Sequence, residues 1–271
     1  MKNAAILEVS RVASAFDQIA PTYDEVFTQS VIGRAQRKVV WDELQKTFRE
    51  GQHILELNCG TGEDALFLSS RGVKVLACDC SPKMIAMARR KRTESAGNIE
   101  FRVLPSERLE ELRSSFPFDG AFSNFSGMNC VTDVKQFVAS LAEILKPRAK
   151  VLVCVSGRFC LWELAWFLLK GLPRKAFRRV GGSTTARMEG REFAVVYPTI
   201  RQWRSHFHPL FRLRKIRAVG LFIPPSYVES WARRHPRLVE RLARMDRFFA
   251  RQPWLRAVGD HVLLEFERAP R

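Results

Sequence analysis

Leu55-Glu56-Leu57-Asn58-Cys59-Gly60-Thr61-Gly62 decides the reading of this chain. An apolar run ends in a turn with two glycines, and a helix-forming stretch, Glu63 to Ser70, follows at once. Glycine accepts backbone geometry that a side chain resists, so such a turn lets main chain approach a ligand closely and aims helix N–H groups at it. Upstream, His53 to Cys59 reads as a buried strand. Downstream, Arg71-Gly72 stops the helix and Val73-Lys-Val-Leu-Ala-Cys-Asp79 forms a second strand. Ser81-Pro82 then opens another helix, with an N-cap residue and proline at the first helical position. Strand, glycine turn, helix and strand in that order specify a parallel crossover.

The alternation continues outward. Ile99 to Leu104, Phe118 to Phe125 and Lys150 to Ser156 read as strands, with a helix over Val134 to Leu145. Buried strands separated by helices imply an α/β, doubly wound sheet covered on both faces. Phe211 to Val219 and His261 to Glu267 are two further strands. Before the core, residues 7–20 and 31–49 have helical periodicity, with Pro21 marking a break between them. Two insertions interrupt the C-terminal part. One carries an apolar-aromatic helix and a hairpin, Thr184 to Met188 with Phe193 to Tyr197, around Glu189-Gly190; the other, Pro224 to Val258, is helical and arginine-rich. The resulting division is an N-terminal helical cover (1–50), a ligand-binding core (51–157), a lid (158–210), and the last two strands with their helical insertion (211–271).

With 46% apolar and 27% charged residues among 271, the chain can bury a substantial core. No run reaches the roughly 18 apolar residues of a membrane span. The N-terminus lacks a secretory layout, and Asp17, Asp24 and Glu25 argue against a transit peptide. Six cysteines without a CxxC pair point to reduced thiols, no metal site and a cytoplasmic location. The net charge of +17 is uneven: residues from Arg158 onward carry +15 of it. That field suits a solvated surface, an anionic membrane surface with peripheral attachment, an acidic small molecule or nucleic acid.

Gly60-x-Gly62-x-x-Ala65 fits a loose dinucleotide fingerprint. Glu63 and Asp64 in the first helical turn oppose it, because they repel a pyrophosphate and already complement the helix dipole. Glu56 adds a third negative charge. A cationic nucleoside, S-adenosylmethionine, suits this acidic mouth better. Asp79 ends the second strand 17 positions after Gly62, where a carboxylate can accept both ribose hydroxyls; its competing role is a cap on the next helix.

From Ala15-Phe-Asp-Gln-Ile-Ala-Pro-Thr-Tyr-Asp24 to about Val155 the chain resembles class I S-adenosylmethionine-dependent methyltransferases, the quinone-biosynthesis C-methyltransferases and their small-molecule relatives in particular. The resemblance implies a seven-stranded, mostly parallel sheet with an antiparallel last strand, and S-adenosylhomocysteine as product. It implies that Glu56, Asn58, Gly60 and Gly62 hold the methionine end, with Tyr23 near the carboxylate. Asp79 holds the ribose, Cys80 and Met84 line the adenine, and Asn124 and Phe125 lie near the transferable methyl. Three positions depart from the family pattern. Asn58 replaces the first glycine, which asparagine tolerates through its access to left-handed geometry. Pro105 replaces the acid after the third strand, leaving adenine recognition to Ser106 or Glu107. Met128-Asn129-Cys130 replaces a histidine pair.

The acceptor is expected to be small and lipophilic or aromatic, in a pocket formed by Asn129, Trp162, Trp166 and Tyr197. His206, His208 and Tyr197 are candidate bases, and Cys130 is a candidate thiol or a structural cysteine. The helix from Phe159 to Leu172 serves as packing for a lid, as a roof over a greasy pocket or as an interfacial segment. RNA methylation through the basic C-terminal surface is the main alternative, although Asn124-Phe-Ser-Gly127 lacks the Asn/Asp-Pro-Pro-aromatic grip on a flipped base. A non-catalytic S-adenosylmethionine-binding protein is the third reading.

Overall fold

The computed structural model describes residues 2–92, 98–113 and 117–270, with side chains from residue 6 onward. Seven strands form the main sheet: β1 (His53–Leu57), β2 (Lys74–Asp79), β3 (Ile99–Val103), β4 (Phe118–Ser123), β5 (Leu145–Ser156), β8 (Phe211–Val219) and β9 (His261–Arg268). Their spatial order is β3-β2-β1-β4-β5-β9-β8. β1 pairs in parallel with β2 and β4, while β9 runs antiparallel between β5 and β8. The order reverses between β1 and β4, so the C-terminal ends of those strands open the crevice in which doubly wound sheets bind ligands.

α3 (Glu63–Ser69) and α4 (Pro82–Lys91) cover one edge, and α5 (Val134–Ile144) lies between β4 and β5 in sequence. Ser81 caps α4 by accepting the Met84 N–H at 3.1 Å. The helix N-cap is therefore Ser81 and not Asp79. On one face of the sheet Leu55, Phe118, Leu141, Val153 and Phe266 pack together; Ile54, Leu68, Phe122, Leu152 and Leu263 fill the other. Residues that alternate along each strand feed alternate faces, as the pleat requires.

α1 (Lys2–Tyr23) passes straight through Pro21. The expected break falls later, because the chain widens into a π-helical turn over Asp24–Thr28 and the Gln29 N–H reaches back to the Asp24 carbonyl at 2.7 Å. Ser30 then caps α2 (Val31–Thr47). Two further N–H groups of α2 are received by the Glu229 carboxylate, at 2.8 Å from Val31 and 3.1 Å from Ile32. Glu229 begins α9 (Glu229–Arg234), which α10 (Pro236–Phe249) follows, so the arginine-rich insertion is fastened to the N-terminal cover.

α6 (Leu161–Leu169), α7 (Pro173–Ala176) and the hairpin β6 (Ser183–Met188)–β7 (Arg191–Val196) form the other insertion. A lid ending at residue 210 would include the next helix, α8 (Ile200–Phe207). That helix belongs to the core: Phe207 stacks on Phe266 at 3.9 Å, and Trp203 is buried with it. No helix among the described residues is long and apolar enough to cross a membrane.

Candidate active site

The glycine turn has the strained geometry its sequence calls for. Asn58, Gly60 and Gly62 all take positive φ, at 55°, 53° and 77°. The two glycines do different work. A side chain on Gly62 would collide with Phe101 and Ala88, so that glycine serves helix–sheet packing. A Cβ on Gly60 would meet only the Tyr23 ring, 3.9 Å away, leaving a cradle of bare main chain under an aromatic cover. Asn58 keeps its turn by accepting hydrogen bonds from Ser123 Oγ (3.0 Å) and Ser106 Oγ (3.4 Å). Ser106 is thereby buried against the turn.

Asp79 receives the Gly60 N–H on one carboxylate oxygen and the Ser81 N–H on the other, each at 2.8 Å. Burial pushes its carboxyl upward, and the backbone donors oppose that shift. Each oxygen keeps a lone pair for a further donor. Glu56 is fully buried, its Oε2 has no hydrogen-bond partner, and desolvation raises its pKa well above the ordinary glutamate value, helped by Asp64. A buried carboxyl with one unpartnered oxygen, in a strand that leads into a glycine turn bare of side chains, fits a ligand that carries an ammonium group.

The acidic mouth itself is mostly neutralised. Asp64 is buried and bound by Arg37 (2.7 Å), Trp41 Nε1 (2.6 Å) and Asn124 Nδ2 (2.9 Å). Lys91 reaches both Asp24 (2.6 Å) and Glu63 (3.4 Å). The acceptor oxygens left to a ligand are those of Glu56 and Asp79, not those of the first turn of α3. The N-terminal cover closes over them: Asp17 accepts from Ser81 Oγ at 2.6 Å, and Asp24 from Thr61 Oγ1 at 2.6 Å. Met84 is buried at the start of α4. Cys80 packs between α1 and the hairpin with Phe16 and Cys130. Glu107 is half-buried and accepts the Thr132 N–H, with burial raising its pKa.

Beyond the turn, Phe125 and Ser126 take φ of 43° and 69°, unusual for residues with a Cβ. They carry the chain sharply off β4 and hold the Phe125 ring 5.1 Å from Phe27 and 5.4 Å from His261, edge to face in both cases. A cavity of about 480 Å³ opens here, walled by Tyr23, Phe27, Phe125, Tyr227 and His261, with Val26 at its exposed rim.

Several residues expected to face the ligand turn elsewhere. Asn124 spends its amide on Asp64 and its oxygen on the Phe125 N–H (2.9 Å), so only its main chain faces the crevice. Asn129 is fully buried and staples β5 to the hairpin, receiving the Ser156 N–H (2.9 Å) and donating to the carbonyls of Ser156 (3.2 Å) and Val196 (2.6 Å). Trp162 donates to the Phe222 carbonyl at 3.1 Å, and Trp166 packs behind Tyr227; neither lines the cavity. Tyr197 covers the Arg179 guanidinium at 5.6 Å instead of entering the cavity. His206 lies in a separate depression with Asp133 and Lys135, and His208 is exposed at the end of α8. Neither is placed to act as a base in this cavity. Burial pushes the Cys130 thiol up to about 12, which leaves it protonated and a poor nucleophile.

The feature that residue-by-residue reading missed is a buried ionic chain. Arg178 and Arg179 both grip Glu163 of α6, at 2.5 Å and 2.7 Å. Arg179 continues to Asp260 Oδ1 at 3.0 Å, and Asp260 Oδ2 stands 3.5 Å from His261 Nδ1. The available signal was Asp260-His261, two polar residues directly before the apolar run Val262-Leu263-Leu264.

A family model described as a methyltransferase domain matches residues 54–148, the span from β1 to the start of β5. The demethylmenaquinone methyltransferase of Paenarthrobacter aurescens is 27% identical over 214 residues, covering 76% of this chain and 78% of the relative. That of Thermus thermophilus is 33% identical over 147 residues, covering 51% of this chain and 62% of the relative. Residues 54–148 thus form a methyltransferase domain. Its fold is shared with the Burkholderia thailandensis 1,6-didemethyltoxoflavin-N1-methyltransferase, whose structure holds that substrate and S-adenosylhomocysteine. The TM-score is 0.58 at 14% identity, over 98% of this chain and 90% of the other. S-adenosylhomocysteine, the product of S-adenosylmethionine as donor, occupies that relative's structure. The donor supplies an electrophilic methyl group, so the protein's part is to align the two reactants and exclude water.

Proposed function

We propose that this methyltransferase transfers a methyl group to a small, lipophilic aromatic acceptor bound in the cavity between the N-terminal cover, Phe125 and Tyr227. The observation that carries this reading is the cavity: about 480 Å³, in the range of small-molecule sites, with aromatic walls and a few convergent polar groups. Names of relatives, demethylmenaquinone methyltransferase among them, point to the same acceptor class. In this reading Glu56 receives the donor's α-amino group, the Gly60 main chain lies beneath its methionine end, and Asp79 accepts the ribose hydroxyls. Cys80, Met84, Ser106 and Glu107 lie on the adenine side. Tyr23, Phe27 and Phe125 shield the reacting atoms, and the docked α1 keeps bulk water out.

The exposed arginines of α9 and α10, including Arg233, Arg237, Arg241 and Arg244, have no part in this cavity. A transfer assay with methyl-tritiated S-adenosylmethionine separates the partners. Label is expected in the organic extract of reactions supplied with demethylated 1,4-naphthoquinols or alkylated phenols. Label confined to acid-precipitable RNA would move the function to the basic surface. Sedimentation with anionic vesicles at rising salt tests whether that surface instead holds the enzyme at a membrane.

A further inference from the structure

We propose that His261 is the base that takes the proton of an acceptor hydroxyl, and that Asp260 holds it in the working tautomer. This inference rests on the acceptor occupying the cavity beside Phe125.

His261 is fixed by its backbone. It opens β9 and pairs with Ser156 of β5 on one side and Val219 of β8 on the other, so its backbone is held from both sides. The ring lines the cavity and meets Phe125 edge to face, next to the residues that the strained turn after β4 positions. Nδ1 is sealed from solvent and makes no hydrogen bond, and Asp260 Oδ2 stands 3.5 Å from it, close enough to pair with a proton there. Nε2 makes no hydrogen bond among the described residues. A proton on Nδ1 therefore leaves the Nε2 lone pair to the cavity.

Asp260 is held in turn. Arg179 binds its carboxylate and its carbonyl, each at 3.0 Å, and Gln36 of α2 donates to Oδ2 at 3.4 Å. Burial works against this carboxylate, yet His261 and Arg179 more than offset it and keep its pKa below the ordinary value. The imidazole is pushed below its ordinary 6.5 chiefly by burial, with Asp260 acting upward and Arg179 downward. Tyr227 and Tyr23, from the α9 side and α1, and Glu189, from the hairpin turn, face the same cavity. At neutral pH the ring is uncharged and able to accept a proton. A histidine retained only for packing would have no use for an aspartate that an arginine fixes beside its ring.

The transfer balances as follows. As the acceptor oxygen forms its bond to the methyl carbon, the bond from that carbon to sulfur breaks and its electron pair stays on sulfur. The hydroxyl proton passes to Nε2. The imidazolium that results is compensated by Asp260 and afterwards gives its proton to water. The positive charge that leaves the sulfonium thus appears on His261 and then in solvent.

The test uses wild type and His261→Asn, which keeps a donor for Asp260 but no base, both saturated with S-adenosylhomocysteine. Long-range ¹H–¹⁵N spectra of wild type, with five histidines to resolve, should show His261 as the Nδ1–H tautomer titrating below 6.5. An Nε2–H tautomer overturns the proposal, whatever becomes of the variant. 4-Nitrophenol serves as an optical acceptor mimic. Binding to both proteins, with more phenolate in wild type than in the variant, supports the base. Equal phenolate in both overturns the base and leaves the cavity reading intact, whereas binding to neither overturns both. With an acceptor found by the tritium assay, the variant should lose about 10²–10⁴-fold in kcat/KM and lose the acid limb of the pH profile, while its affinity for S-adenosylhomocysteine is unchanged.

Discussion

Replacing Glu56 by glutamine should move stability and ligand affinity in opposite directions. Glu56 is buried beneath the glycine turn with Oε2 unpartnered, and Asp64 and Asp79 lie near enough to raise its pKa further. The unfolded chain gives up this proton at the ordinary value near 4.5, whereas the folded protein holds it to a higher pH. Between those two values the native state binds more protons, so stability falls as pH rises, by up to about 1.4 kcal/mol per pH unit. Glutamine has no such dependence. The melting temperature of Glu56→Gln should therefore match wild type most closely in acid and exceed it increasingly toward neutral pH. Ligand binding has the other sign. An ammonium group beside Glu56 favours the carboxylate, so wild type should release a proton on binding S-adenosylhomocysteine. A hydrogen bond to a charged group contributes about 1.5–3 kcal/mol, so the variant should bind about 10- to 150-fold more weakly. Calorimetry in two buffers of different ionisation enthalpy reads both the affinity and the proton. A variant that binds as tightly as wild type and still releases a proton would remove Glu56 from the amino contact.

Asp79→Ala should abolish the calorimetric signal for S-adenosylhomocysteine, since two hydrogen bonds to a charged acceptor amount to about 3–6 kcal/mol; equal affinities would end the ribose assignment. Asn129→Ala strands three buried backbone groups of β5 and the hairpin, and should cost about 3 kcal/mol of stability in denaturant unfolding. A change below about 0.5 kcal/mol would mean that the staple is not made. Arg179→Ala leaves Glu163 and Asp260 buried without their shared cation and should cost about 3–5 kcal/mol. Arg178→Ala, at the exposed end of the same chain, should cost about 0–1 kcal/mol. Equal losses for the two arginines would contradict the burial of the network.

The sheet was legible because its signals are local. Val-Leu-Val-Cys-Val in β5 and His-Ile-Leu-Glu-Leu in β1 are buried on both faces and therefore almost continuously apolar. Positive φ at Gly60 and Gly62, and the carboxylate at the end of β2, follow from the chemistry of single residues at known spacing. A break at Pro21 is misplaced because a proline removes only its own donor. The π turn three residues later, which no local motif announces, carries the chain onward.

Partners are what a one-dimensional reading cannot supply, and the site's electrostatics depend on them. Glu63 and Asp64 are charges in the sequence; in the fold, Lys91 and Arg37 cancel most of that charge, leaving Glu56, one of whose oxygens has no hydrogen-bond partner. Arg179 lies 81 residues from Asp260 in sequence, and only the packing of the lid on the first turn of β9 makes them a pair. The same packing explains why histidines on α8 were the more obvious bases and the less apt ones. An amphipathic helix shows its polar residues to solvent or to a shallow depression. A polar residue that opens a strand flanked by two others is held on both sides by the sheet, and its side chain points where the backbone directs it. Rigidity of that kind is what proton transfer needs, because a base displaced by about 1 Å forfeits much of its advantage. His261 has that rigidity and lines the cavity with an aspartate beside it; His206 faces Asp133 and Trp203 in a depression away from the cavity, and His208 is exposed.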